Sequence, residues 1–160
     1  AAAIQPLQPD LLGIYRAAEG QVELLGLAST EDGPGRTLLV YDDPVVLYRF
    51  PLALGATWSQ TVTFSDALLQ GVKNAGKEEY LFAVDARGTV RLPQMTLQNT
   101  LRVRMKLRQT FAVGQGEPVV ERVYLFWVHE CLGEVARMIS PPGVTGTDFQ
   151  DAAEFRRLSL

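Results

Sequence analysis

Apolar and basic residues alternate without a break between positions 101 and 108 of the chain. Successive side chains of a β-strand point to opposite faces, whereas a helix would scatter these residues around its circumference. The alternation therefore predicts a strand with one apolar face and one basic face. The apolar face consists of Leu101, Val103, Met105 and Leu107, and the basic face of Arg102, Arg104, Lys106 and Arg108.

Similar patterns predict further strands along most of the chain. Residues 57–64 alternate between a largely apolar face and a face of serine and threonine, and a turn-rich segment at 31–35 predicts a hairpin. Proline at positions 44, 51 and 93 is expected to interrupt or end strands, because it lacks a backbone donor. The other predicted strands cover residues 21–28, 36–41, 45–50, 79–85, 89–92, 99–112, 119–128, 134–140 and a tail within 152–160.

The connections between these strands are predicted from their turn-forming residues. Residues 86–88 are expected to form a hairpin turn, 114–118 a second turn, and 65–77 a loop with a helical turn at 66–70 as an option. Residues 1–20 are expected to be an extended or short-helical lead-in. The count of about nine strands predicts an all-β fold in one domain, residues 1–160, with minimal helix. We expect an antiparallel curved sheet, a half-barrel or a two-layer sandwich, in largely meander order.

Composition narrows the classes of function. The chain has 160 residues, of which 47% are hydrophobic and 21% charged, which are values typical of a globular domain. A net charge of -3 argues against a protein built to bind nucleic acid. With one histidine and one cysteine, a multi-histidine metal site and an intramolecular disulfide are excluded, and we expect no metal and no cofactor. No apolar run approaches the ~20 residues of a transmembrane helix.

Several motifs resemble those of uncharacterised bacterial periplasmic or lipid-anchored β-rich proteins. The motifs are Gly-Thr-Val-Arg-Leu-Pro at 88–93, Leu-Arg-Val at 101–103, Tyr-Leu-Phe-Trp at 124–127 and Gly-Glu-Val-Ala-Arg at 133–137. Such proteins are distantly similar to lipoprotein carriers, whose curved sheets shelter acyl chains. The resemblance implies an apolar-ligand or envelope role without assigned catalytic residues. The chain also begins Ala1-Ala2-Ala3 without methionine, as in a mature form left by signal-peptide removal or a trimmed clone. We therefore expect an extracytoplasmic location, in the periplasm or anchored to the outer membrane.

Two sets of residues are candidate binding sites. An open curved sheet would expose its aromatic residues to an apolar ligand, whereas a closed sandwich would use them as core. The basic row at 102–108 fits anionic groups such as lipid head groups, or is a solvated face balanced by acids such as Glu121. The candidate lining residues are Trp58, Phe64, Tyr124 and Phe126.

The consecutive residues His129, Glu130 and Cys131 are the other chemically notable group. A turn could let His129 activate the Cys131 thiol, and that mechanism would need an orienting acid such as Asp148. Without a supporting nucleophile motif, we expect a turn with an incidental thiol and no catalytic residues.

The sequence thus predicts a non-enzymatic bacterial envelope protein that binds an apolar or amphipathic, lipid-like ligand on a concave sheet face. The alternative is a structural or protein-interaction module of the envelope that uses the basic strand face or a sheet edge.

Overall fold

The computed structural model describes residues 2–5, 8–112 and 119–159 of the chain. Ten strands in this part of the chain form a sheet in which strand order follows sequence order, and no helix is present there. The all-β antiparallel meander predicted from the sequence is therefore confirmed. The strands are β1 (Ala2–Gln5), β2 (Gln8–Ala18), β3 (Gln21–Ser29), β4 (Leu38–Arg49), β5 (Thr57–Leu69), β6 (Val72–Leu92), β7 (Met95–Phe111), β8 (Val119–His129), β9 (Gly133–Ile139) and β10 (Glu154–Arg157).

The alternation of polar and apolar residues correctly predicts the faces of the two clearest strands. In β7, Val103, Met105 and Leu107 are buried, while the basic residues between them are partly or fully exposed. In β5, residues 58, 62 and 64 are buried and residues 57, 59, 61 and 63 are exposed. Burial of one face supplies the free energy that holds each strand in this register.

The loop predicted at 65–77 is wrong. Strand β5 continues to Leu69 and β6 begins at Val72, so the connection is only the pair Gln70 and Gly71. Both residues have positive φ, 51° and 80°, as a tight hairpin turn requires. The segment is therefore a two-residue hairpin rather than a long loop.

The hairpin predicted at 86–88 is also wrong, because β6 runs through these residues to Leu92. Side chains of β6 at and next to this segment bond to β7. Arg102 Nε donates to Asp85 Oδ1 at 2.8 Å, and Arg87 Nη2 donates to Asn99 Oδ1 at 3.0 Å. Pairing with β7 thus keeps the backbone extended where the local sequence favours a turn. The predicted end of the strand before Pro93 is confirmed.

The segment Asp42-Asp43-Pro44 does not end a strand, but it does disturb the ladder. Strand β4 continues from Leu38 to Arg49, and its pairing with β3 jumps from Gly26↔Val40 to Leu24↔Val45. Residues 41–44 therefore bulge opposite a single residue of β3. The lead-in at 1–20 takes the extended form, as β1 and β2 in the described part.

Three further sequence predictions concern the turn at 114–118, the number of strands and the domain organisation. The predicted turn at 114–118 lies outside the described residues. The described part has ten strands, close to the predicted number of about nine: the lead-in supplies two strands, and the strands predicted on either side of 42–44 and of 86–88 are continuous. The assignment of residues 1–160 to one domain stays a prediction. The chain divides into two compact units, and each contains part of β5, β6 and β7.

Unit 1 comprises Ala1–Pro51, Gln60–Glu78 and Gln109–Val119. The Phe64 side chain is 2% exposed and lies against Tyr41 and Phe111, with ring centroids 6.5 and 6.2 Å apart. Beside them the Glu78 carboxylate is buried and accepts hydrogen bonds from the Tyr41 hydroxyl at 2.7 Å and from Gln109 Nε2 at 2.6 Å. These bonds meet the requirement that a buried polar group be paired.

Unit 2 comprises Leu52–Ser59, Glu79–Arg108 and Val120–Leu160. Trp58 stacks on Phe82 at 4.7 Å, and Tyr80 stacks on the same ring at 5.9 Å. Ser140 is fully buried, and its hydroxyl accepts a hydrogen bond from the Val123 backbone amide at 2.9 Å. That bond fixes the chain where it leaves β9 and turns towards β8. Aliphatic side chains complete the core, among them Val84, Val103, Val123, Val135 and Ile139.

We expect Gly26→Ala to lower the free energy of unfolding by about 1–3 kcal/mol, the usual cost of overpacking. A Cβ at position 26 would overlap the Leu39 carbonyl oxygen, which is backbone and has little freedom to move. Urea denaturation followed by circular dichroism measures the effect. Gly33→Ala is the matched control, because a Cβ there meets no atom within 4 Å. Equal stability of the two variants would contradict the close approach of β4 to Gly26.

Candidate functional site: a basic strand flanked by two depressions

The basic row of β7 lies on the outer face of unit 2, opposite the buried face of the same strand. Side-chain contacts between β7 and β6 show which residues of the two strands lie opposite each other. Arg102 contacts Asp85, and Arg108 contacts Glu79, six positions away on both strands. Antiparallel pairing with these two contacts places Lys106 opposite Leu81, which is 57% exposed. A cation and an exposed apolar side chain are thus neighbours on the same sheet face.

Asp85 neutralises much of the charge at one end of the row. Arg102 donates from Nε and Nη2 to the two Asp85 oxygens at 2.8 and 3.2 Å, a bidentate pair. Arg104 Nη1 lies 3.1 Å from Asp85 Oδ2. The hydrogen bond to Asp85 raises the pKa of Arg102 above its ordinary value, against a smaller opposing effect of burial. Asp85 therefore compensates part of the charge of Arg102 and Arg104.

Charge is less well compensated at the other end. Arg108 lies 3.7 Å from Glu79 and 3.8 Å from Glu121, both longer than a hydrogen bond. The Lys106 ammonium donates to the Thr145 carbonyl at 2.8 Å, and in the described part of the chain it forms no ion pair. Lys106 is therefore the cation of the row that has no acidic partner in the described part of the chain.

Residues 141–153, which we call the strap, connect β9 to β10 and cross this face. The Gly143 amide donates to the Glu121 carbonyl at 2.8 Å, which anchors the start of the strap at β8. The Lys106 ammonium donates to the Thr145 carbonyl of the strap, and Arg102 Nη1 lies 3.4 Å from Asp148 Oδ2. The strap thus uses two of the four basic residues as attachment points.

Two open depressions adjoin Lys106 and Leu81. The first, which we call the hydroxyl depression, has a volume of about 530 Å³. The second, the glutamate depression, has a volume of about 320 Å³. The hydroxyl depression is lined by Thr57, Trp58, Ser59, Leu81, Phe82, Ala83, Arg104, Lys106 and Thr147, and the glutamate depression by Glu79, Leu81, Lys106, Leu107, Arg108, Glu121, Arg122, Val144 and Thr145.

The lining of the hydroxyl depression is mainly apolar, with several residues that can donate hydrogen bonds. The potential donors are the two cations and the hydroxyl residues Thr57, Ser59 and Thr147, and Leu81 is part of the apolar surface. A carboxylate or phosphate offers only acceptor oxygens when ionised, so its chemistry is complementary to these donors.

The aromatic residues predicted to line a ligand site lie mostly in the cores of their own units. Trp58 and Phe126 are 8% and 5% exposed in unit 2, and Phe64 is 2% exposed in unit 1. Tyr124 is half-buried and stacks with Phe126 at 6.0 Å, and the Arg137 guanidinium lies 4.8 Å from the centre of the Phe126 ring. This burial favours the core interpretation, and a ligand-lining role stays a prediction.

His129 is the last residue of β8, and Glu130 and Cys131 lie in the turn to β9. The Cys131 backbone amide donates to His129 Nδ1 at 3.3 Å, so this ring nitrogen contacts the backbone. Asp148, the proposed orienting acid, lies instead beside Arg102. Among residues 2–5, 8–112 and 119–159, no group of three or more His, Cys, Asp or Glu side chains could hold a metal ion.

Within the same residues, no helix has the length and hydropathy needed to cross a membrane. Comparison of the chain with protein-family models, curated proteins and solved structures found no match. The resemblance to periplasmic and lipid-anchored β-rich proteins therefore stays a prediction.

Proposed function

We propose that this protein is a non-enzymatic binding protein for an amphiphile that carries an anionic group, and that this group binds in the hydroxyl depression of unit 2. The observation that carries the proposal is the position of Lys106, a cation without an acidic partner among the described residues, beside exposed Leu81 and two open depressions. This assignment keeps the lipid-like ligand expected from the sequence but moves it from the aromatic residues to the basic face.

The lining explains how such a ligand would be held. The anionic group would accept hydrogen bonds from Lys106, Arg104 and the hydroxyls of Thr57 and Ser59. The first carbons of its apolar chain would cover Leu81, whose exposure costs free energy in water. Asp85 restrains Arg104, so the guanidinium is already oriented before binding and loses little side-chain freedom.

A location in the bacterial envelope is part of the proposal, and it is supported by the resemblance described under Sequence analysis. The alternative role, an interaction module that uses the basic face, receives less support. Its own acids and the strap contact most of the basic residues, so these residues do not form the continuous cationic surface that an acidic protein would contact.

We expect Lys106→Met to weaken the binding of a phosphate amphiphile about tenfold or more, as the loss of a charge-assisted hydrogen bond predicts. Methionine keeps the unbranched stem of lysine and removes the charge. Isothermal titration with dihexanoyl phosphatidylglycerol, below its micelle concentration, measures the dissociation constant.

Lys73→Ala is the control, because Lys73 is an exposed lysine of unit 1. It should leave the dissociation constant unchanged. Equal binding by wild type and Lys106→Met would contradict the assigned site. If no anionic amphiphile bound to the wild type, the interaction module would become the better explanation.

A further inference from the structure

The glutamate depression contains acidic and basic groups that pair poorly with one another. Arg108 lies between Glu79 and Glu121 at distances of 3.7 and 3.8 Å, so it makes a hydrogen bond to neither carboxylate. Its side chain is 54% exposed, and each glutamate is 36% exposed. These three groups are close enough to attract each other and free enough to exchange partners.

One oxygen in this depression is unsatisfied. Glu79 Oε2 is shielded from solvent and has no hydrogen-bond partner in the described part of the chain. Shielded carboxylate oxygens in folded proteins nearly always accept a hydrogen bond, so an orphan of this kind points to a missing donor. The nearest cation to this oxygen is Arg108 Nη1 at 3.7 Å, so a rearrangement of these side chains that brings a donor closer would complete the pairing.

We propose that the glutamate depression binds the primary ammonium group of a zwitterionic phosphate ligand whose phosphate lies at Lys106. This inference rests on the proposed function, because it adds a second subsite to the same ligand. The two depressions share Lys106 and Leu81, so a ligand can extend from one to the other on this face.

The chemistry of a primary ammonium group fits the carboxylates of the depression. It has three N–H donors, enough to bond Glu79 and Glu121 together, whereas a quaternary ammonium has none. Arg108, displaced from the two glutamates, would remain close to the phosphate, and a guanidinium matches phosphate geometry. Binding would thus exchange two long ion pairs for shorter charge-assisted hydrogen bonds.

The volume of about 320 Å³ is at the small end of ligand pockets, which suits a head group rather than an acyl chain. The shared chemistry is that of phosphoethanolamine, which occurs in lipids and as a free small molecule. The experiment therefore compares both sources.

Isothermal titration of the wild type with dihexanoyl phosphatidylethanolamine, phosphatidylcholine and phosphatidylglycerol tests the inference directly. We expect the ethanolamine lipid to bind about tenfold more tightly than either of the others. Free O-phosphoethanolamine is the fourth probe. If it binds as tightly as the lipid, the head group alone is the ligand, and if it binds more weakly, the acyl chains contribute.

Glu79→Gln should abolish the preference for ethanolamine, so that the ethanolamine and choline lipids bind equally tightly. Glu130→Gln, in the exposed turn after β8, is the matched control. If phosphatidylglycerol binds but ethanolamine gives no advantage, the second subsite is wrong and the proposed function stands. If none of the lipids binds, the proposed function itself fails. Should Glu79→Gln not fold, the wild-type comparison of ethanolamine with choline still decides the question.

Discussion

Phe64→Ala is expected to lower the free energy of unfolding by about 3–5 kcal/mol, the usual cost of truncating a buried phenylalanine. The ring is 2% exposed and contacts the rings of Tyr41 and Phe111, so its removal leaves a cavity and loses two aromatic contacts. Urea denaturation followed by circular dichroism measures the change. A loss of this size is a large fraction of the stability of a typical domain.

The control for this variant is Val40→Ala, also in unit 1, because Val40 is 64% exposed. Its effect should be within about 0.5 kcal/mol, as for most surface substitutions. If Phe64→Ala were equally mild, Phe64 would not be a core residue. The prediction that it lines a ligand site would then become the stronger interpretation.

Trp58→Ala is expected to have a similar effect in unit 2, again about 3–5 kcal/mol. Trp58 is 8% exposed and stacks on Phe82, with an angle of 8° between the rings, and Phe82 in turn stacks with Tyr80. Removing the first ring of this series leaves one face of Phe82 without a packing partner. Chemical denaturation measures the loss.

The matched control is Phe155→Ala, an aromatic residue of unit 2 that is 54% exposed. It should change stability little. The opposite result for Trp58→Ala, an unchanged free energy of unfolding with complete loss of phosphatidylglycerol binding, would show that Trp58 acts mainly on the ligand.

The strands that the sequence predicts correctly are those with one buried and one exposed face. Alternation in β5 and β7 reports this difference directly, because burial depends on which way each side chain points. The segment at 65–77 misleads because only one of its two glycines, Gly71, is in a turn. A Cβ at Gly76 would overlap the Thr110 carbonyl oxygen of β7 and lie 2.8 Å from the Phe64 ring, so glycine is present there for close packing and not for a loop. Only the long-range contacts of β6 with β5 and β7 reveal that reason.

The candidate site is partly readable from the sequence. The basic face and the possibility of compensating acids follow from the alternation, and Glu121 is one of those acids. The sequence could not show that Asp85, Glu79 and the strap contact the row. The two acids lie beside it because of the register between β6 and β7, and the strap is a segment distant in sequence that crosses this face. Lys106 is the only lysine of the row, but its lack of an acidic partner in the described part of the chain follows from these contacts, so the sequence alone could not identify it as the binding cation.

The most direct test of the account is to map where a phosphate amphiphile binds. Backbone amide shifts of isotopically labelled protein, followed during titration with dihexanoyl phosphatidylglycerol, report the position of the ligand. The account predicts that the largest changes occur at Thr57, Leu81, Lys106 and Thr147 and that they disappear in Lys106→Met. Changes centred on Phe64 and Tyr41, with the outer face of β7 unaffected, would contradict it.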